Sequence, residues 1–117
     1  MSFEHVLAVV PVRDADVAKA WYEKLFGRAP DNNPMPGLVE WQLVPGGWVQ
    51  VFVDEERAGS GLFNVAVDDL EKHIAEVRSR SLEPDEILDA AKGVRLATIA
   101  DPDGNLIRLI GGFRVEY

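Results

Sequence analysis

The chain alternates apolar and polar blocks whose periods predict two helices set among strands. His5 to Val12 (HVLAVVPV) is an unbroken apolar run, which predicts a buried strand. Asp14 is placed to cap a following helix, and Asp16 falls in its first turn. Val17, Ala20, Trp21, Lys24 and Leu25 recur at helical spacing, and Gly27 stops the helix. Arg28 to Pro36, rich in proline and asparagine, predicts a loop with room for a short edge strand. Leu38 to Val44 and Trp48 to Val53 predict strands joined by a Pro45-Gly46-Gly47 turn. Asp54 to Gly61 (DEERAGSG) is charged, then glycine- and serine-rich, and reads as a linker. Beyond it the pattern starts again. Leu62 to Val67 predicts a strand, Asp69 caps a helix carrying Leu70, Ile74 and Val77 that ends near Ser81, and Glu83 to Ala91 predicts an irregular strand with a turn. Val94 to Ala100 and Leu106 to Ile110 predict two more strands, and Gly111-Gly112 leads into a short tail, Phe113 to Tyr117.

The two halves match each other. A shift of 55 residues lays Leu7 on Leu62, Val10 on Val65, Val12 on Val67, Asp14 on Asp69 and Ala20 on Ala75. A slightly longer shift lays Gln50 on Arg108. Each half reads as strand, helix, then about three strands. This predicts one domain with a first module at about 1–54, a linker at about 55–61, a second module at about 62–112 and a tail at 113–117. Neither half can bury its faces alone, so the two predict a pseudo-twofold body with a cavity between or over the sheets.

The last hairpin is the distinctive stretch. In Asp101-Pro102-Asp103-Gly104-Asn105, Pro102 sets φ for a turn, and Asp103-Gly104 is expected to supply the positive φ values of a tight hairpin. The strand that follows is apolar except for Arg108, which shares a face with Leu106 and Ile110. Either this is an edge strand with Arg108 in water, or the charge belongs to a functional face.

Composition narrows the options. The 117 residues suit one domain that buries roughly two thirds of its surface. Cysteine is absent, which excludes disulfides, thiolate metal sites and cysteine nucleophiles and suits a reducing cytoplasm. No apolar run approaches a membrane span, and no basic region precedes the first apolar run as a signal peptide requires. A net charge of −8 disfavours nucleic acid.

Period two divides the strands into faces. Ala8, Val10, Val12, Val49, Val51, Val53, Phe63, Val65, Val67, Ile107 and Leu109 form one apolar set suited to packing under helices. The other set mixes apolar side chains with Gln50, Asn64 and Arg108. Pairing Val44 with Trp48 across the turn puts Gln42 opposite Gln50 and Glu40 opposite Phe52, and adds Glu40 and Gln42 to this second face. The candidate ligand-binding residues are therefore Glu40, Gln42, Trp48, Gln50, Phe52, Asn64 and Arg108: polar groups to orient a small molecule and aromatic groups to stack on it. The alternative is a filled interface in which Arg108 pairs with Glu40.

Pro11-Val12-Arg13-Asp14, Trp21-Tyr22 with Leu25-Phe26-Gly27, Val67-Asp68-Asp69 and Asp101-Pro102-Asp103-Gly104-Asn105, in this order and spacing, resemble the vicinal oxygen chelate superfamily of glyoxalases, bleomycin-resistance proteins and extradiol dioxygenases. The resemblance implies an α+β fold of two βαβββ modules, whose curved mixed sheets surround a ligand cavity, usually in a dimer. Its metal enzymes hold a divalent ion with His and Glu side chains from four strands. The matching positions here are Leu7, Gln50, Leu62 and Arg108. Leucines offer no lone pair and a guanidinium repels a cation, so no metal and no cofactor are expected. A register slip that would put His5 at a ligand position leaves Leu62 and Arg108 still unsuited, and His73 is expected in solvent.

The expected function is a metal-independent small-molecule-binding protein resembling the bleomycin-resistance branch, cytoplasmic and homodimeric, with no nucleic-acid or membrane partner. Trp21, Tyr22 and the tail are expected to add apolar surface for the dimer. The alternatives are a glyoxalase- or dioxygenase-like lyase or isomerase, for which Glu40 is the one carboxylate placed inside, and a ligand-free structural or regulatory module.

Overall fold

A computed structural model describes residues 2–112; the expected tail at 113–117 lies outside them. Eight strands and two α-helices run in the order β1 (Val6–Val12), α1 (Ala15–Phe26), β2 (Asn32–Met35), β3 (Leu38–Val44), β4 (Gly47–Val53), β5 (Leu62–Ala66), α2 (Leu70–Ser79), β6 (Leu88–Asp89), β7 (Arg95–Ala100) and β8 (Leu106–Gly111) among the described residues, with a single 3-10 turn at Ala91–Gly93 between β6 and β7. The first module forms a sheet in the order β1-β4-β3-β2 and the second a sheet in the order β5-β8-β7-β6. In each, the first strand pairs in parallel with the last, and the remaining pairs are antiparallel. The chain thus has the expected α+β architecture of two βαβββ modules.

The helices begin and end where their local chemistry dictates. The Asp14 side chain accepts from the backbone N–H groups of Asp16 and Val17, and Gly27, at φ 77°, donates its N–H to Glu23 O. Asp69 caps α2 through Lys72 N. No glycine stands at the end of α2; Ser81 takes the left-handed conformation at φ 70°.

The apolar set of strand residues meets both helices in one core. Val10, Val12, Val49, Val51, Ile107 and Leu109 are buried with Ala18, Tyr22 and Leu25 of α1 and Leu70, Ile74 and Val77 of α2. Trp41 and Tyr22 are fully buried at its centre. The Trp41 ring lies 5.3 Å from that of Phe26, and its Nε1 donates to Arg28 O at 3.0 Å. Tyr22 was expected at the surface; its place on the inward stripe of α1, in step with Ala18 and Leu25, puts it inside instead.

Three further expectations change. β8 lies between β5 and β7, so Arg108 is on an interior strand and not an edge. The β3–β4 register pairs Val44 with Gly47, Gln42 with Trp48, Glu40 with Gln50 and Leu38 with Phe52, two residues from the expected one. The turn closes this tightly because Gly47 has no Cβ, which would lie 2.6 Å from Val44 Cγ2. A shift of two preserves the faces, so Glu40 and Gln42 stay on the predicted side. In the last hairpin only Gly104 takes a positive φ, 99°. Gly104 N bonds Asp101 O and Asp101 N bonds Asn105 O, a three-residue loop with glycine at the left-handed position.

That hairpin is pinned to the first module by buried polar groups. Asp101 accepts from Asp103 N and Asn105 N at 2.9 Å each, and from Asn105 Nδ2 and Tyr22 Oη–H at 2.8 Å each. Asn105 Nδ2 also donates to Pro11 O at 2.7 Å, and its Oδ1 accepts from Gly61 N at 2.7 Å. Replacing Asp101 by Ala strands several buried donors at once. The expected loss is at least about 3 kcal/mol in urea unfolding, and a loss below 1 kcal/mol would show that the network is dispensable.

Burial, reinforced by the Asp101 carboxylate, holds the Tyr22 phenol well above its ordinary pKa of 10.0. In the unfolded chain it ionises normally. Above pH 10 the unfolded state therefore releases a proton that the folded state retains, and stability falls as pH rises. Tyr22→Phe is expected to be about 1 kcal/mol less stable at neutral pH, with a shallower decline of the urea midpoint above pH 10.

Candidate functional site

The side chains opposite the core lie on the open faces of the two sheets. The strand registers order them into rows. On the first sheet a polar row reads Val9, Gln50, Glu40, Asn32 from β1 to β2. It is flanked by a row of Leu7, Trp48 and Gln42 and a row of Pro11, Phe52 and Leu38. On the second sheet the polar row reads Asn64, Arg108, Thr98, flanked by Leu62, Leu106 and Ala100 and by Ala66, Ile110 and Leu96. The two rows are equivalents in the sequence repeat, with Gln50 matching Arg108 and Glu40 matching Thr98.

The two rows differ in charge and in how fully they are bonded. Glu40 is buried, at 9% exposure; its Oε2 accepts from Gln50 Nε2 at 2.5 Å and its Oε1 from Asn32 Nδ2 at 3.3 Å. The pairing of Glu40 with Arg108 weighed from the sequence does not form, because Glu40 is bonded within its own sheet. Arg108 is half-buried and makes no hydrogen bond or ion pair among the described residues. Its register neighbours, Asn64 and Thr98, are neutral. Gln42 lies on the predicted face, but its Nε2 donates to Pro45 O at 2.8 Å and braces the turn. Its backbone N–H, together with Arg28, holds the Asp31 carboxyl below the usual carboxylate range. Trp48 and Phe52 are half-buried on the same face. His5, exposed just before β1, sets its ring edge-on to Trp48 at 6.4 Å, and His73 Nε2 lies 3.4 Å from Asp68 Oδ1 at the start of α2.

Thr98 and Asn32 complete the polar rows and were not among the residues expected from sequence. Thr98 was within reach: counting back across the last hairpin pairs it with Arg108. Asn32 was not, because β2 joins β3 through an irregular register.

A single chain leaves these faces open. Leu7, Val9, Leu62 and Leu106 are 45, 55, 51 and 37% exposed. Clefts of about 710 and 320 Å³ run along the seam between the modules. Trp48 and Asn64 touch the smaller, but Glu40, Gln50, Phe52 and Arg108 line neither. The four metal-site positions fall on the open faces, Leu7 beside Trp48, Leu62 beside Leu106, with Gln50 and Arg108 in the polar rows. Their donor set does not fit a hard or borderline divalent ion. Among the described residues no group of three or more His, Asp or Glu side chains converges as a metal site would require.

Comparison with known proteins agrees with this fold. The family model described as Glyoxalase/Bleomycin resistance protein/Dioxygenase superfamily matches residues 2–109. A solved glyoxalase/bleomycin resistance protein from Catenulispora acidiphila is 31% identical, with a TM-score of 0.87 over 93% of this chain and 98% of that one. A bleomycin resistance determinant encoded on the transposon Tn5 superposes with a TM-score of 0.78 at 22% identity, over 95% of this chain and 99% of that one. A lactoylglutathione lyase from Agrobacterium tumefaciens does so at 0.75 and 19% identity, over 96% of each chain. The last two are alike in fold. Among curated proteins, none matches the sequence significantly.

Proposed function

The chain belongs to the glyoxalase/bleomycin resistance protein/dioxygenase superfamily, and on that scaffold we propose that it is a metal-independent small-molecule-binding protein that works as a homodimer. The observation that carries this reading is the open face itself: apolar rows that include Trp48 and Phe52, crossed by rows of polar groups, with leucine or arginine at three of the four metal-site positions. A face of that composition orients and stacks on a ligand but offers a divalent ion no carboxylate or imidazole at those positions. Of the roles named for the relatives, the resistance named for the Tn5 protein suits it better than the lyase activity named for the Agrobacterium protein.

The dimer follows from the exposed leucines and valines. Isolated apolar side chains on a surface are ordinary, but Leu7, Val9, Leu62 and Leu106 join half-buried aromatic and aliphatic neighbours into continuous faces. A second copy related by a twofold axis covers them reciprocally, the first sheet of one protomer against the second sheet of its partner. Two equivalent clefts result, each built from both chains.

Sedimentation at micromolar concentration is expected to give a species at twice the chain mass of 12.9 kDa. Leu62→Asp, which puts a charge on the covered face, is expected to give a folded monomer; a wild type that sediments at the single-chain mass refutes the assembly. Protein purified without an affinity tag is expected to carry no stoichiometric nickel, zinc, iron or manganese by elemental analysis. About one ion per chain, lost on replacing His5, overturns the metal-independent reading.

A further inference from the structure

We infer that the shared cleft has an electrostatic axis: Glu40 on one wall and the partner's Arg108 on the other select a flat aromatic molecule with a carboxylate at one end and a hydrogen-bond donor at the other. The inference rests on the dimeric binding reading above and adds the ligand's chemistry to it.

The two walls descend from one repeated pattern, but their central rows have diverged in charge. On the first sheet, Gln50 and Asn32 bond one carboxylate oxygen each of Glu40, which leaves lone pairs free to accept a further donor. On the second sheet, Arg108 offers five N–H donors and has only neutral neighbours in its row, Asn64 and Thr98. Closing a second copy over this face removes water from a guanidinium that no carboxylate of its own sheet meets. An unpaired desolvated charge is costly, so the cleft favours an occupant that brings an anion. A planar guanidinium binds a carboxylate through two parallel bonds, which a sphere-like anion cannot match.

The flanking rows constrain the rest of the molecule. Phe52, Trp48 and Leu38 line one wall, and Leu106, Ile110 and Leu96 the other. Apart from Gln42, which is turned onto Pro45 O, both flanks of each polar row are therefore apolar or aromatic, which suits a ring lying between the sheets with its polar ends directed at the two central rows. The net charge of −8 works against anions at long range, so Arg108 acts as a local exception in an acidic protein.

Isothermal titration of the intact dimer with benzoate, benzamide, benzamidine and 4-aminobenzoate tests this. Benzoate is expected to bind at least tenfold tighter than benzamide, and 4-aminobenzoate more tightly than benzoate; benzamidine, whose amidinium can meet only Glu40, is expected to lose its binding in Glu40→Gln and keep it in Arg108→Leu. Arg108→Leu is expected to erase the preference for benzoate over benzamide while the dimer persists. Arg108→Lys, which keeps the charge and loses the fork, is expected to fall between. Among the carboxylate probes, Glu40→Gln is expected to erase the advantage of 4-aminobenzoate alone. Mixed dimers of one Arg108→Leu chain and one Glu40→Gln chain are expected to regain wild-type affinity for 4-aminobenzoate at half the sites, because one cleft then has both groups intact and the other has neither. Binding that ignores the carboxylate overturns the axis and leaves the binding reading standing. Mixed dimers without restored sites overturn the assignment of the two groups to different protomers. Absence of binding by every probe to a confirmed dimer overturns the axis and counts against the binding reading with it.

Discussion

The fold depends on one buried carboxylate. Asp101 sits at the entrance to the last hairpin, 5% exposed, and binds two backbone N–H groups of its own loop, the amide of Asn105 and the phenol of Tyr22 on the opposite module. A carboxylate buried without such partners would be strongly destabilising; with four it orders everything it touches. It fixes the hairpin and hence the register of β7 on β8. Through Asn105 it ties that hairpin to Pro11 O on β1 and to Gly61, the residue before β5. The segment read from sequence as a linker is thereby held to both modules.

A second contact ties the modules at the other end of α1. Arg80, just past α2, donates through Nε to Lys24 O and through Nη2 to Leu25 O, carbonyls in the last turn of α1. A cation at a helix C-terminus meets both the unsatisfied carbonyls and the negative end of the helix dipole. Between these two contacts the helices and inner sheet faces share one core, which leaves the outer faces of both sheets turned away from it.

Two copies of one structural pattern present equivalent rows on these outer faces, so a change of residue type in one copy becomes a difference between the two sheets. Val9, Gln50 and Glu40 occupy in the first sheet what Asn64, Arg108 and Thr98 occupy in the second. The scaffold is that of the glyoxalase/bleomycin resistance protein/dioxygenase superfamily; in this chain Leu7, Gln50, Leu62 and Arg108 put two leucines, an amide and a guanidinium on its open sheet faces.

By itself the sequence determined the elements, the module repeat and the two faces of each strand. Those depend on period, caps and turn residues, all short-range: Asp14 and Asp69 at the helix starts, Gly27 at a helix end, and the alternation through Val49 to Phe52. It also placed Glu40 on the open face of its sheet, as it placed Arg108 on that of the other, despite a β3–β4 register wrong by two residues, because side-chain direction repeats every two residues. Only the tertiary structure decided what meets what. That Tyr22 is the partner of Asp101, that Glu40 binds Gln50 and not Arg108, and that β8 is an interior strand all depend on contacts between segments far apart in the chain. Local pattern carries no record of such distances, since the packing of one module against the other selects among pairings that each strand by itself would accept equally well.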